Sequence, residues 1–108
     1  MEGSTLVASD RYLYRAFGKY KDSDKYNQSI QRFKIFPEIG KHWELIDEKS
    51  IPIKSDGRED QDMPLERKKY GYGIFDKKNQ NIIFLGGYID SDNEEKISKT
   101  IYIIKNDK

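Results

Sequence analysis

The side chains best able to do chemistry in this sequence are few and scattered. His42 is the one histidine, and the sequence places no serine or acid beside it to complete a catalytic triad. Residues 90–94, Asp-Ser-Asp-Asn-Glu, open like a calcium loop, but Glu95 stands where such a loop needs glycine, and Ile101 where it needs a bidentate glutamate. We therefore expect an exposed or hydrogen-bonded histidine and a solvated acidic loop.

The remaining candidates for catalysis also lack the surroundings that catalysis needs. Carboxylates such as Asp22 and Asp24 lie in charge-mixed segments that should be solvated, not in the apolar surroundings that tune an acid or a base. The chain has no cysteine, which excludes disulfides, thiolate metal sites and cysteine nucleophiles. The sequence thus predicts a non-catalytic protein without a metal or cofactor.

Lysines alternate with tyrosines in two segments, 19–26 and 67–70, as they do on surfaces that bind single-stranded nucleic acid. The chain as a whole does not support strong polyanion binding, because 20 basic and 19 acidic residues leave a net charge of +1. Solvated lysines beside core or cross-strand tyrosines are the favoured interpretation. An RNA-contacting subunit that uses these patches is kept as the alternative.

Length and composition set the fold class. A chain of 108 residues is long enough for one compact domain, and its 13% aromatic content with abundant isoleucine favours strands over helices. No run of about 18 apolar residues occurs, and residues 1–10 do not read as a signal peptide. We expect a soluble, cytoplasmic, all-β protein that makes no membrane contact.

The apolar residues occur in short groups separated by polar turns, which is typical of several strands. One group has a second interpretation, because Tyr26, Ile30 and Phe33 also follow helical spacing. Residues 54–63 are polar up to Met63 and are predicted to be a loop or insertion. The predicted strands lie within residues 6–8, 12–17, 30–36 and 43–46, and then within 70–75, 82–85 and 101–104.

A tandem repeat is visible at an offset of 68 residues. This shift places residues 17–20 on residues 85–88, so that Phe-Gly-Lys-Tyr matches Leu-Gly-Gly-Tyr. The other matched pairs are Tyr14 and Ile82, Ala16 and Phe84, Phe33 and Ile101, Ile35 and Ile103, and Phe36 and Ile104. A repeat of this length indicates a stack of similar β units.

A unit of four short strands, with glycines closing the second and a tryptophan in the fourth, resembles the kelch repeat, whose units are the four-stranded blades of β-propellers. In the second copy, Pro64 and Arg67 resemble the lead into a kelch first strand, and 86–87 resemble its double glycine. In the first copy, Phe36 and Trp43 stand seven apart, like the family's aromatic pair. The full set of motif residues is Gly18, Phe36, Trp43, Pro64, Arg67, Gly86 and Gly87.

The resemblance implies an incomplete β-propeller made of antiparallel four-stranded blades. Residues 1–53 would form the first blade, 54–63 a polar insertion, and 64–108 a second blade that lacks its fourth strand. Propellers close with four to eight blades, so two blades alone would expose two apolar faces. The chain would need the missing blades of a longer protein, a ring of copies, or other proteins docked on those faces.

The third possibility predicts a protein-binding module that serves as a scaffold or accessory subunit of a multi-protein assembly. It also predicts that Phe17, Trp43, Phe75 and Phe84 are only partly buried by their own chain. A catalytic propeller domain is the weaker alternative. The predicted partner contacts are Phe17, Tyr20, Tyr70, Tyr72 and Tyr88.

Overall fold

The computed structural model describes residues 1–46, 53–55, 58–59, 65–89 and 96–105. Within these ranges every regular element is a β-strand, every strand pairing is antiparallel, and there is no helix, which confirms the predicted all-β class. The strands are β1 (Thr5–Ala8), β2 (Tyr12–Ala16), β3 (Ile30–Lys34), β4 (Glu44–Leu45), β5 (Ile53–Ser55), β6 (Arg58–Glu59), β7 (Lys68–Lys69), β8 (Tyr72–Asp76), β9 (Asn81–Leu85), β10 (Tyr88–Ile89), β11 (Lys96–Ile97) and β12 (Thr100–Ile104).

These strands form two main sheets. The first sheet has the order β1-β2-β3-β4, and the second has the order β6-β5-β12-β9-β8. A small third sheet has the order β11-β10-β7 and consists of three two-residue strands. The segment with helical spacing is strand β3, because its residues pair with β2 along their whole length, from Ala16 with Ile30 to Tyr12 with Lys34.

The core lies between the two main sheets and follows the alternation expected of strands. In β2 the buried positions are Tyr14 and Ala16, and in β9 they are Ile82 and Phe84. The two sheets meet closely where β1 lies beside β8. Among the described residues, the buried apolar set is Tyr14, Ala16, Phe17, Ile30, Leu65, Ile82, Phe84, Tyr102 and Ile104.

β1 and β8 run in the same direction where they meet. The Tyr70 N–H donates to the carbonyl oxygen of Gly3 at 2.8 Å. Further along, a Cβ atom on Gly73 would lie only 2.8 Å from the Cβ of Val7, so glycine is required at this approach. Contacts therefore advance along both strands together.

The two main sheets repeat one backbone pattern. Consecutive positive φ angles at Phe17 and Gly18 (62° and 97°) are matched by Gly86 and Gly87 (72° and 96°). The strand pairing beside these φ angles also matches. Lys19 forms bridges with Glu2 and Tyr26, just as Tyr88 pairs with Lys69 and Ile97. Glu2 is therefore equivalent to Lys69, Lys19 to Tyr88, and Tyr26 to Ile97. The offsets are thus 67 residues for β1 and β8, 69 for β2 and β9, and 71 for β3 and β12. Shifted in this way, each pair of the β1–β2 ladder falls on a pair of the β8–β9 ladder.

The single offset of 68 predicted from the sequence is therefore replaced by three offsets. It placed buried positions of one sheet on buried positions of the other, such as Tyr14 on Ile82. The two sheets pack against each other with opposite faces, so a position that is buried in the first sheet is equivalent to a position on the outer face of the second. By backbone position, Tyr14 corresponds to Ile83, and Phe33 corresponds to Ile104 where the sequence had suggested Phe36.

The second sheet has a strand beside β12 that the sequence did not predict. Ile53–Ser55 pairs antiparallel with β12, from Tyr102 with Ile53 to Thr100 with Ser55. It takes the place that β4 has beside β3 in the first sheet. Residues 54–63, predicted to be a polar insertion, thus include strand residues of β5 and β6. The division of the chain into two blades, the second without its fourth strand, stays a prediction.

Candidate protein-docking surface

An apolar surface covers the side of the second sheet that faces away from the core. Because side chains alternate along a strand, this outer face carries the residues between the buried ones. Three of them are strongly exposed: Tyr72 at 71%, Ile74 at 48% and Ile101 at 39%. Within β8, β9 and β12, the apolar residues of the outer face of the second sheet are Tyr72, Ile74, Ile83, Leu85, Ile101 and Ile103.

Within β8, β9 and β12, charged residues lie at one end of this face, where Asp76 ends β8. At the end formed by the β8–β9 turn, the exposed lysines are Lys77 and Lys78, and Lys105 follows β12 at the same end. An apolar centre with a polar margin is the usual anatomy of a protein interface. A contiguous apolar sheet face of this kind indicates an interaction site.

The outer face of the first sheet is more mixed. Its apolar members include Leu6, which is 57% exposed, and Leu45, which is 71% exposed. Its polar members are already paired, since Arg15 donates to Oε1 of Gln31 from Nε (2.8 Å) and Nη2 (2.6 Å). The outer face of the first sheet consists of Leu6, Ala8, Leu13, Arg15, Gln31, Phe33 and Leu45.

Trp43 adds a ring to this mixed face. It packs against Phe33 with ring centroids 5.6 Å apart, and the Arg15 guanidinium lies 4.2 Å from the centre of the indole ring. Phe36, the predicted aromatic partner of Trp43, is 60% exposed. The ring contact that the structure gives Trp43 is thus with Phe33.

One predicted partner contact is wrong. Phe17 is 1% exposed, and its ring packs on Tyr102 (5.1 Å between centroids) and on Phe84 (6.1 Å). Phe84 is also 1% exposed, so the partial burial predicted for both rings is not observed. Trp43 and Phe75 are half-buried, as predicted.

The four predicted tyrosines are all exposed, but they do not form one site. Tyr72 lies on the outer face of the second sheet, and Tyr88 lies on the small third sheet. Tyr70 instead donates its hydroxyl hydrogen to Oε1 of Glu2 at 2.7 Å, and Tyr20 lines a groove near Glu2. The structure therefore brings only one of these tyrosines onto the apolar face.

The glycines of the sequence motif have a backbone role. Gly18, Gly86 and Gly87 all have positive φ angles, and a Cβ on Gly87 would lie 2.8 Å from the carbonyl oxygen of Lys69. Arg67 stacks its guanidinium 5.4 Å from the centre of the Tyr26 ring. Pro64 and the acidic segment 90–95 lie outside the described residues.

Sequence reasoning missed a buried polar cluster around Lys68. The Lys68 side chain is 1% exposed, and its ammonium lies 4.4 Å from the centre of the Phe17 ring and 4.8 Å from that of Tyr102. Its Nζ is 3.3 Å from Oγ of Ser98 and 3.7 Å from Oε1 of Glu66. The sequence predicts a solvated lysine here, because cations and a ring stand side by side in residues 67–70, and this prediction is wrong for Lys68.

The polar groups around Lys68 are also hydrogen-bonded to one another. Ser98 donates to Oε1 of Glu66 at 2.6 Å, and the hydroxyl of Tyr102 accepts from the backbone N–H of Glu66 at 3.0 Å. Burial lowers the pKa of Lys68 from 10.5 to about 8, although the Glu66 carboxylate acts in the opposite direction. Because Phe17 follows β2 and Tyr102 belongs to β12, the cluster links the two main sheets.

The lysine–tyrosine segments do not form a continuous cationic surface. Lys68 is buried, and Lys69 pairs with Glu2 at 3.3 Å. The hydrogen bond to Glu2 raises the pKa of Lys69, and the hydrogen bonds from Tyr70 and Lys69 lower the pKa of Glu2. An open groove of about 390 Å³ beside them has acids for half its lining, which consists of Glu2, Lys19, Tyr20, Asp22, Ser23 and Asp24.

Comparison with known proteins found no matching family model, curated protein or solved structure. Among the described residues, no helix has the length and apolar character needed to cross a membrane. In the same ranges, no group of three or more histidine, cysteine or acidic side chains is placed to hold a metal ion. His42 is exposed. The geometry of the two sheets therefore carries the functional argument.

Proposed function

We propose that this chain is a non-catalytic, kelch-like protein-binding module that serves as a scaffold or accessory subunit of a multi-protein assembly. The observation that carries the proposal is the apolar outer face of the second sheet. Its residues correspond by backbone position to the buried face of the first sheet, as Ile83 corresponds to Tyr14 and Leu85 to Ala16. A face built for packing is thus left exposed.

The arrangement of the strands supports the kelch-like part of the proposal. In a β-propeller, neighbouring four-stranded blades pack face to face, and their innermost strands run in the same direction. Here β1 and β8 run in the same direction, and the two sheets repeat one pattern of strands and positive φ angles. A strand occupies the fourth position of each sheet.

The test is to isolate the tagged chain from its own cells in three forms: wild type, Ile74→Lys and Ile39→Lys. Ile74 lies on the outer face of the second sheet, whereas Ile39 is 79% exposed in the segment between β3 and β4 and is the matched control. We expect proteins that co-purify with the wild type and with Ile39→Lys to be lost from Ile74→Lys. Circular dichroism checks that all three forms are folded.

Two outcomes would contradict the proposal. If the three forms retain the same proteins, the outer face of the second sheet is not the docking surface. If the retained material is RNA that a nuclease releases, the chain is the RNA-contacting subunit that the lysine–tyrosine segments suggest.

A further inference from the structure

We propose that the outer face of the second sheet is covered by the outer face of the first sheet of a second copy of this chain. This rests on the proposed function and names its partner. The copies would join head to tail, so that each copy uses two different faces. A heterologous contact of this kind makes a ring when its rotation closes.

The buried face of the first sheet is covered within the same chain. That cover is the inner face of the second sheet: Gly73, Phe75, Ile82, Phe84, Tyr102 and Ile104. By backbone position, the same six places in the first sheet are Leu6, Ala8, Leu13, Arg15, Gln31 and Phe33. These residues are the outer face of the first sheet.

The two exposed faces are therefore the two halves of a contact that the chain already makes once internally. The second sheet exposes the equivalent of a face that the first sheet buries. The first sheet exposes the equivalent of the face that covers it. A second copy supplies the missing half without any other protein.

The chemistry of the two faces is compatible with this contact. Within β8, β9 and β12, the charged residue on the outer face of the second sheet is Asp76, the last residue of β8, whose Oδ2 accepts a hydrogen bond from Nδ2 of Asn79 at 2.9 Å. On the first sheet the charged group is Arg15, which is hydrogen-bonded to Gln31 and stacked on Trp43. Two of its five N–H donors already bond to Gln31, and the guanidinium lies over the indole ring of Trp43.

The contact between copies would be wider than the internal one. Gly73, which lets β8 approach β1 closely, corresponds to Leu6 in the first sheet. Leu6 would meet Tyr72 and Ile74 of the second copy, where Gly73 meets Thr5 and Val7. The ring would therefore alternate close and wide contacts.

Size suggests that closure is needed for a stable assembly. Three five-residue strands at about 4.8 Å spacing and about 3.3 Å per residue span a flat area of roughly 250 Å². A standard protein interface buries about 800 Å² per partner, so one such contact is weak. In a ring each copy makes two contacts. Propellers of four to eight units correspond to roughly two to four copies.

The experiment measures the mass of the purified chain by sedimentation across a range of concentrations. We expect a closed assembly whose mass is a small multiple of 12.8 kDa. Leu6→Lys and Ile74→Lys should each reduce it to the monomer, because each charges one of the two faces. Ile39→Lys should assemble like the wild type, and circular dichroism and melting curves confirm that all variants fold.

Mixing the two monomeric variants identifies the kind of contact. The Leu6→Lys copy keeps an intact second-sheet face, and the Ile74→Lys copy keeps an intact first-sheet face, so one contact can form between them. We expect amide NMR shifts on adding unlabelled Leu6→Lys to labelled Ile74→Lys, confined to the first sheet of the labelled copy. Neither variant should cause shifts in a labelled sample of itself.

Three results would overturn the inference. The wild type could be monomeric at every concentration, the mixed variants could show no shifts, or Leu6→Lys could still assemble, which would mean that two second-sheet faces pack on each other. The proposed function is judged separately. If the purified chain is monomeric while another protein is lost from Ile74→Lys in cells, the inference fails and the proposed function stands.

Discussion

The two main sheets share one backbone pattern but expose unlike faces. Outside the core, the first sheet mixes leucines with the hydrogen-bonded pair Arg15 and Gln31, whereas the second sheet exposes six apolar residues. Corresponding positions also carry unlike side chains, since Gly73 and Phe84 on the inner face of the second sheet correspond to Leu6 and Arg15 on the outer face of the first. The two sheets thus share strand order and pairing, and their side chains determine which face of each sheet packs against a neighbour.

The largest expected effect compares Phe84 with its counterpart, Arg15. Phe84 is 1% exposed and packs edge-on against Phe17, so Phe84→Ala should lower the free energy of unfolding by about 3–5 kcal/mol. Arg15→Ala should cost about 1 kcal/mol, because it removes hydrogen bonds at a half-buried position. Denaturant unfolding of both variants measures the difference. Equal losses of unfolding free energy in the two variants would contradict the described difference in burial between Phe84 and Arg15.

A second test concerns the Lys68 cluster that links the sheets. The folded-state pKa of Lys68, about 8, lies below its ordinary 10.5, so between these values the unfolded chain binds more protons than the folded one. Stability should therefore rise with pH from about 8, by up to about 1.4 kcal/mol per pH unit. Lys68→Met should abolish this rise in chemical denaturation at a series of pH values.

Tyr102 limits the range of that test. Burial raises its pKa, so above about pH 10 the unfolded chain loses the tyrosine proton first and stability falls again. Stability should be greatest near pH 10. A flat or falling profile between pH 8 and 10 in the wild type would contradict the described burial of the Lys68 ammonium.

A third test addresses the closest approach of the sheets. Gly73→Ala places a methyl group 2.8 Å from the Cβ of Val7, and this overpacking should cost about 1–3 kcal/mol. Val7→Ala cannot move its own Cβ, but it frees space for β1 to shift and should recover part of the loss. The double-mutant cycle measures this coupling. Additive effects of the two changes would argue against the described contact.

The smallest expected effect lies within the mixed face of the first sheet. Gln31→Ala removes the acceptor of the two Arg15 hydrogen bonds and should lower stability by about 1 kcal/mol. Arg15→Ala should then add little in this background. Full additivity by thermal or chemical denaturation would show that the pair is not formed in solution.

Much of this fold is predictable from the sequence because its strands coincide with short apolar groups that lie between polar turns. The short apolar groups, such as those in 12–17 and 82–85, and the polar turns between them predict the correct class and most strands. The repeat was also visible, but its offset was one residue out in the first two strands. The reason is physical: apolar side chains mark the faces that meet, and here the two sheets meet with opposite faces of the same pattern.

The errors concern properties that depend on partners distant in sequence. Lys68 stands among charged neighbours in sequence, but it is buried against the rings of Phe17 and Tyr102, and Ser98 is its hydrogen-bond partner. Phe17 is predicted to be a partner contact because two unclosed blades would expose their faces, but its ring is 1% exposed and packs on Tyr102 and Phe84. Strand β5 was missed because backbone hydrogen bonds to β12 do not require an apolar sequence.

The origin of β5 has a consequence for the order of folding. Neighbours in the first sheet are close in sequence, so its hairpins can form on the microsecond scale. Ser55 and Thr100 are 45 residues apart, and their pairing must close a long loop before it gains any contact energy. We expect the amide protons of the β5–β12 ladder to become protected from exchange after those of β2 and β3. The pairing of β5 with β12 is then the step that completes the second sheet, after the hairpins of the first sheet have formed.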